Sequence, residues 1–412
     1  MIDATGAPPM SDVSVVVRGG LIERVGQGPT PAGATLIDGR GKFLIPGLWD
    51  MHVHLSGPEE SLRKLAANGI TGVRDMYSGV DPAAYSPWRQ VPFAPRMIVG
   101  GMIDGLGRPP APGAFWVKKE EEARNAVGRL AASRAEFIKV YSSLSREAYF
   151  AVADEARRIG IPFAGHVPES VTPAEAAEAG QLSQEHLINI LASCSKREDK
   201  LREDRQKLLV DPKLNVMERA RLFGWPREAG LFDTYDEKKC QALFATFVDY
   251  GVWHTPTLVV SQEYAKRNKQ LPMLEGLPDK EKGPFAGHVR ATLQRLEQLT
   301  GDMHRAGVGL LAGSDAGVAT GVEMGTGLHD ELALLVTAGL TEMEALQTAT
   351  RNPALYFGIL TLMGTVEAGK AADLVLLDAD PLEDIHNTRK IQGVMMRGTY
   401  FDKSALASLT AR

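Results

Sequence analysis

Residues 48–57 read LWDMHVHLSG and follow directly on the breaker pair Pro46 and Gly47. The apolar run has the length of a β-strand. If it is extended, its side chains alternate between faces, so His52 and His54 project to the same side about 7 Å apart along the strand. Two imidazoles so placed can share one ion.

Seven further runs of strand length follow: GITGVRDM (69–76), RMIVGGMI (96–103), EFIKVYSS (136–143), IPFAGHV (161–167), QLSQEHL (181–187), VWHTPTLVV (252–260) and VGLLAGSD (308–315). Amphipathic helical stretches separate most of them, such as PEESLRKLAANG (58–69), EEEARNAVGRLAASR (120–134) and SREAYFAVADEARRIG (145–160). Eight strands alternating with helices predict an α/β fold, a (β/α)₈ TIM-like barrel. An open doubly wound sheet is disfavoured because no Gly-x-Gly-x-x-Gly follows a first strand.

Outside this alternation the chain reads as short strands. VSVVVRGGLIERVG (13–26), ATLIDGRGKFLIPG (34–47), GTVEAGKAADLVLLDAD (364–380) and IQGVMMRGTYF (391–401) are rich in Val, Ile and Leu and are broken by glycine turns. Residues 1–46 and 362–412 are therefore expected to form one small β-sandwich-like domain, and 47–361 the barrel. Regular spacing fails only at about 194–250, a charged insertion before the seventh strand. Its run KREDKLREDRQK reads most simply as a solvated helix face. A loop after a barrel strand emerges where such barrels carry their active sites, so the functional expectation is a lid.

Composition narrows the function class. The 412 residues are 44% hydrophobic and 24% charged, with a formal net charge of −5 that gives no case for nucleic acid or an acidic membrane surface. A small-molecule substrate is expected, which leaves room for a homo-oligomer. No run approaches a membrane span, and no basic region followed by an apolar core opens the chain, so the cytoplasm is the default location. With only Cys194 and Cys240, two ordinary thiols are expected.

Polar residues capable of binding metal gather at the ends of different predicted strands: His52 and His54 on the first, Lys139 on the fourth, His166 on the fifth, His186 on the sixth and Asp315 on the eighth. A lone strand-end histidine is ordinarily a hydrogen-bonded structural residue. Six such residues at one end of one barrel are not readily coincidental. Imidazole and carboxylate suit borderline ions such as Zn²⁺. Lys139 is the odd member, since a protonated amine repels a cation; burial beside apolar residues favours the neutral amine, which CO₂ converts to a carbamate. The plainer alternative is an ion pair with Asp75 or Glu185.

This pattern resembles the amidohydrolase superfamily, with its His-x-His after strand one, lysine on strand four, histidines after strands five and six, and aspartate after strand eight. The segments GKFLIPGLWDMHVHL and GTVEAGKAADLVLLD look like the two ends of that family's composite β domain, so the resemblance covers nearly the whole chain. GHVPESVTPAEAAEAGQLSQEH and HDELALLVTAGLTEMEALQTATRNPA look most like the imidazolonepropionase-like and metal-dependent, prolidase-like dipeptidase branch. The resemblance implies one ion on His52, His54 and Asp315 and a second on His166 and His186, with carboxylated Lys139 and a hydroxide bridging them. Asp315 would accept the hydroxide proton and pass it to the leaving nitrogen. The ions would be Zn²⁺, with Mn²⁺, Fe²⁺ and Co²⁺ as alternatives.

The expected activity is hydrolysis of amide C–N bonds, in dipeptides or N-acyl amino acids. The alternatives are a mononuclear deaminase or cyclic-amide or amidine hydrolase, a lactonase or phosphotriesterase, and a non-catalytic scaffold of the same fold. The deaminase alternative draws on Glu169, which follows His166 at the His-x-x-Glu spacing of that branch; the simpler expectation makes it a first-turn helix acid. His254 and Tyr141 are the candidate substrate contacts, and structural roles are expected for His329 and for Ser314 as a support of Asp315. His288, His304 and His386 carry no pattern. AGSDAG is no nucleophile elbow, because Ala312 stands two before Ser314, and no phosphate-binding loop is present.

Overall fold

The computed structural model describes residues 1–55, 58–105, 113–209, 233–268 and 279–411. The strands are β1 (Ser14–Arg18), β2 (Leu21–Gly26), β3 (Phe43–Pro46), β4 (Leu48–Val53), β5 (Ile70–Asp75), β6 (Arg96–Asp104), β7 (Phe115–Trp116), β8 (Phe137–Val140), β9 (Phe163–Gly165), β10 (Ser183–Glu185), β11 (Trp253–Thr255), β12 (Gly309–Leu310), β13 (Leu374–Leu377), β14 (Ile391–Met396) and β15 (Thr399–Asp402). Eight of them, β4, β5, β6, β8, β9, β10, β11 and β12, make up a curled parallel sheet. The fold is α/β and TIM-barrel-like, with a separate antiparallel sheet drawn from both chain ends.

Contacts divide the chain into two compact units. The first comprises Met1–Asp75, Tyr85–Met97 and Leu311–Arg412. In it β1 and β2 pair as an antiparallel hairpin, and β3, β13, β14 and β15 form a four-stranded antiparallel sheet in the order β15-β14-β13-β3. The register sets Leu374 opposite Pro46 and Leu377 opposite Phe43, so the two ends of the chain meet as their apolar runs require. Strands β4 and β5 lie parallel in the same unit and are buried at every position. This is the pattern of a strand covered on both faces. Backbone bonds from Met51 N to Ala312 O and from Asp315 N to His52 O tie β4 to residues 312–315. The contacts keep residues 311–361 with the first strands.

The second unit, Met76–Ala84 with Ile98–Leu310, carries β7 to β12 and most of β6. Its core joins Ile138 and Val140 of β8 to the inner faces of the helices Glu120–Ala132 and Arg146–Ile159. Ser145 caps the second of these helices, accepting from Ala148 N, and Gly160 ends it in the left-handed conformation. Gly165 at the end of β9 has φ +130°, and a Cβ there would lie 2.3 Å from Val140 O. Only glycine fits where the backbone of β9 presses so closely on β8.

Two expectations change here. The seventh strand ends at Thr255, and its TLVV continuation begins a helix, Leu258–Asn268, because Pro256 breaks the ladder. Cys194 and Cys240 are not separate thiols but form a disulfide across 46 residues. Both are buried, and the backbone bond from Asp236 N to Cys194 O joins the same two segments. The charged run is a helix, Glu198–Leu209, whose Lys200–Asp204 and Lys207–Glu203 pairs form the solvated face expected. Residues 210–232 of the insertion lie outside the described residues, and its last part forms the helix Glu237–Asp249. No helix of the described residues is long and apolar enough to cross a membrane.

Candidate metal centre

In the first unit, β4 places Asp50 and His52 on one face and fully buries both, while His54 follows just past the strand end with a quarter of its side chain exposed. Asp315 reaches this pair from the loop after β12. His52 Nε2 and His54 Nε2 lie 3.3 and 3.0 Å from the same oxygen, Asp315 Oδ1. Asp315 takes a left-handed φ of +55°, a strained choice for a residue with a Cβ, and is held there by its N–H donating to His52 O at 2.7 Å. The bond from His54 N to Ala316 O, at 2.9 Å, fixes the other side of the loop.

Asp50 anchors the arrangement from behind. Its carboxylate accepts from Ser314 N at 2.9 Å, from Ser314 Oγ at 2.5 Å and from His52 N at 3.2 Å. Burial pushes its pKa up to about 7, against the opposing pull of those hydrogen bonds. Ser314 therefore supports Asp315 indirectly, by tying the loop to Asp50 of β4.

In the second unit, Lys139 on β8 is 1% exposed, and its Nζ lies 5.3 Å from the centre of the Tyr141 ring. Tyr141 stacks on His166 with ring centres 3.9 Å apart, and His166 meets His186 edge-on at 4.8 Å. His166 Nδ1 lies 2.7 Å from Ser142 Oγ, and His186 Nδ1 lies 2.7 Å from Thr257 Oγ1. A hydroxyl on Nδ1 fixes each ring's orientation, so the nitrogen each presents to an ion is Nε2. His186 and Thr257 have left-handed φ values of +62° and +50°. As at Asp315, the backbone is strained where site residues stand.

Two expectations are corrected. Glu169 is not a first-turn helix acid. The helix begins at Pro173, capped by Thr172, and its first-turn acid is Glu175. Glu169 instead faces Arg205 of the insertion helix at 3.4 Å. His254 was expected to meet substrate, but it is 0% exposed and packs on Phe247 with ring centres 4.4 Å apart. Burial holds its pKa down to about 3, so it is a neutral core residue. Alternation explains the placement, since a one-residue step along β11 reverses the face.

His329 is structural, as expected: its ring nitrogens lie 2.9 Å from Thr388 Oγ1 and 3.1 Å from Asn68 O. Sequence reading missed Asp50, although it stands two before His52 on the same face and carried the same signal. Ser142, Thr257 and Arg205 had no such signal, since their partners are 24, 71 and 36 residues away. The donor set fits divalent ions. His52 and Asp315 each offer a ligand atom to a candidate metal group, and the oriented imidazoles of His166 and His186 suit the same chemistry.

A sequence profile of the amidohydrolase family matches residues 43–400. Among curated relatives the chain is similar to the dihydroorotase of Trichlorobacter lovleyi, 53% identical over 70 residues, which is 15% of this chain and 16% of the relative. It is also similar to the dihydroorotase of Leifsonia xyli subsp. xyli, 31% identical over 140 residues, 32% of this chain and 31% of the relative. The chain thus matches about a sixth and a third of the length of those relatives. Similar solved structures include a Xaa-Pro dipeptidase with bound methionine in its active site, at TM-score 0.69 and 19% identity, covering 97% of both chains. A bottromycin amidohydrolase is similar at TM-score 0.69 and 23% identity, covering 99% of this chain and 86% of the other. Molinate hydrolase is similar at TM-score 0.68 and 19% identity, covering 100% and 95%. At these identities the structures speak to the fold.

Proposed function

The chain belongs to the amidohydrolase family of enzymes that hydrolyse C–N bonds, and on that premise we propose that it cleaves amide bonds of small substrates such as dipeptides or N-acyl amino acids. The observation that carries this reading is the convergence of His52 Nε2 and His54 Nε2 on one oxygen of Asp315. His52, His54 and Asp315 would hold one divalent ion, and His166 and His186 a second, with carboxylated Lys139 shared between them. Zn²⁺ suits these donors best, with Mn²⁺, Fe²⁺ and Co²⁺ as alternatives. Bound ions would lower the pKa of a water and polarise the substrate carbonyl.

The protein's own groups do the rest. Asp315 takes the proton from the attacking water and returns it to the leaving nitrogen, so the amide departs as an amine and no covalent enzyme intermediate forms. Ser314 and Asp50 hold the Asp315 loop during this exchange. Ser142 and Thr257 keep the His166 and His186 rings from turning. Tyr141, stacked on His166, is the proposed substrate contact; a 0% exposed His254 offers a substrate no atom.

A second reading, hydrolysis of a cyclic amide, is favoured by the likeness to dihydroorotases. The mononuclear form that would use Glu169 is disfavoured by the pairing of that carboxylate with Arg205. An activity panel of dipeptides, N-acyl amino acids, cyclic amides and lactones, run with added Zn²⁺ or Mn²⁺, separates these readings. Turnover of open-chain amides is expected; turnover confined to lactones or cyclic amides would replace the proposal.

A further inference from the structure

The loop that carries Asp315 closes on itself around one hydroxyl. Thr320 is 5% exposed, and its Oγ1 donates to Asp315 O at 2.6 Å, with Gly317 O at 3.0 Å as a second acceptor. Val322 N donates back to the same oxygen at 3.4 Å. Backbone bonds from Gly321 N to Gly317 O at 3.1 Å and from Gly317 N to Val322 O at 3.3 Å complete the ring. The packing around it is tight. A Cβ on Gly317 would lie 2.9 Å from His54 Cβ, and one on Gly327 would lie 2.4 Å from Val322 Cγ1 and 3.2 Å from Ser314 Cβ. Val318, at the tip of the loop, is 84% exposed.

Asp315 needs such support because its φ of +55° is one that a residue with a Cβ leaves when it is free to do so. Its N–H is fixed on His52 O at 2.7 Å. The peptide that follows it is held at both edges, by Ser314 Oγ, which accepts from Ala316 N at 3.1 Å, and by Thr320, which donates to Asp315 O at the shorter 2.6 Å. Without the Thr320 hydroxyl, a buried carbonyl loses its donor, and turning the peptide plane is the way to satisfy it. That turn also swings the Asp315 side chain. Oδ1 then leaves the position 3.3 and 3.0 Å from His52 Nε2 and His54 Nε2. Threonine suits the task, since β-branching restricts its rotamers and presets the hydroxyl.

We propose that Thr320 is the positioning residue for Asp315: its hydroxyl holds the left-handed backbone that aims the carboxylate at the ion shared with His52 and His54. This rests on the reading of Asp315 as ion ligand and proton acceptor, and extends it to a residue five positions further along the chain. Thr320 touches neither ion nor substrate and acts through Asp315.

The test uses the full chain. Zn²⁺ affinity is read by competition with a chromophoric chelator, and His52→Ala identifies which ion belongs to this group. Thr320→Val, nearly isosteric but without the hydroxyl, should weaken that ion about tenfold, as the loss of outer-shell partners does. On amides it should lower kcat 10- to 100-fold and leave KM within about twofold. Thr320→Ser should recover most of both losses, and Val318→Ala, in the same loop, should leave the affinity unchanged. On an Asp315→Ala background, Thr320→Val should change the affinity less than twofold, because the group it acts through is gone. Thr320→Ala, which lets water reach the freed carbonyls, covers the case in which the valine variant does not fold. A merely structural role would lower the urea midpoint and leave ion affinity in place. Wild-type affinity in the valine and alanine variants, or equal losses with and without the Asp315 carboxylate, overturns the proposal. So does a wild type whose ion content His52→Ala leaves unchanged. If no amide is cleaved, the amide-hydrolase reading fails by itself, and the affinity cycle still decides the role of Thr320.

Discussion

Breaking the Cys194–Cys240 bridge should cost about 4 kcal/mol. The disulfide closes a loop of 46 residues, and the chain-entropy relation for a loop of that length gives this value when the cross-link is removed from the unfolded ensemble. The native state offers no compensation, because both sulfur atoms are buried and their segments are also tied by the bonds from Asp236 N to Cys194 O and from Lys196 N to Thr234 O. The perturbation is a Cys194→Ala/Cys240→Ala double variant, with alanine chosen to avoid placing a hydroxyl in an apolar site. Urea denaturation of the wild type with and without dithiothreitol, beside the variant, reads the loss; reduced wild type and variant should fall together. Thiol titration in urea without reductant should find none in the wild type. Two titrating thiols, or a denaturation midpoint that reductant leaves in place, would refute the reasoning.

Other consequences follow from single contacts. Ser314→Ala strips a buried carboxylate, Asp50, of its 2.5 Å hydroxyl donor and should cost about 2 kcal/mol; a double-mutant cycle with Asp50→Asn that shows no coupling would contradict this. Gly165→Ala forces a Cβ to 2.3 Å from Val140 O at φ +130°, so it should destabilise by roughly 3 kcal/mol and lower soluble yield, and an unchanged denaturation curve would count against the packing described. His329 is held down to about 4, chiefly by burial, from an ordinary value near 6.5. Its folded pKa is the depressed one, so its stability contribution is complete above pH 6.5 and is lost as pH falls toward 4, by up to roughly 3 kcal/mol. His329→Gln should flatten the stability profile in that window, and an identical slope in the variant would exclude the assignment.

Much of the fold was legible because it is written in local periodicity. The apolar runs at 48–55, 69–76 and 136–143 became β4, β5 and β8, and the terminal runs met as β3 and β13 to β15. The exception was VWHTPTLVV, where Pro256 ends the strand and β-branched residues enter a helix. The histidines and Asp315 could be seen because each sits at a strand end in a pattern of residue types. Their supports could not, since Ser142, Thr257 and Arg205 act across loops that only tertiary folding brings together. The two cysteines misled for the same reason: a count of two sets no distance between them. His254 failed on alternation, where one position along β11 decides between mouth and core.

The proposed two-ion centre is tested most directly by metal analysis of the purified full chain beside its Lys139→Ala variant. The account predicts about two divalent ions per chain in the wild type, a sharp fall in the variant, and recovery when short carboxylic acids replace the missing carbamate. One ion per chain in the wild type, unchanged by Lys139→Ala, would contradict it.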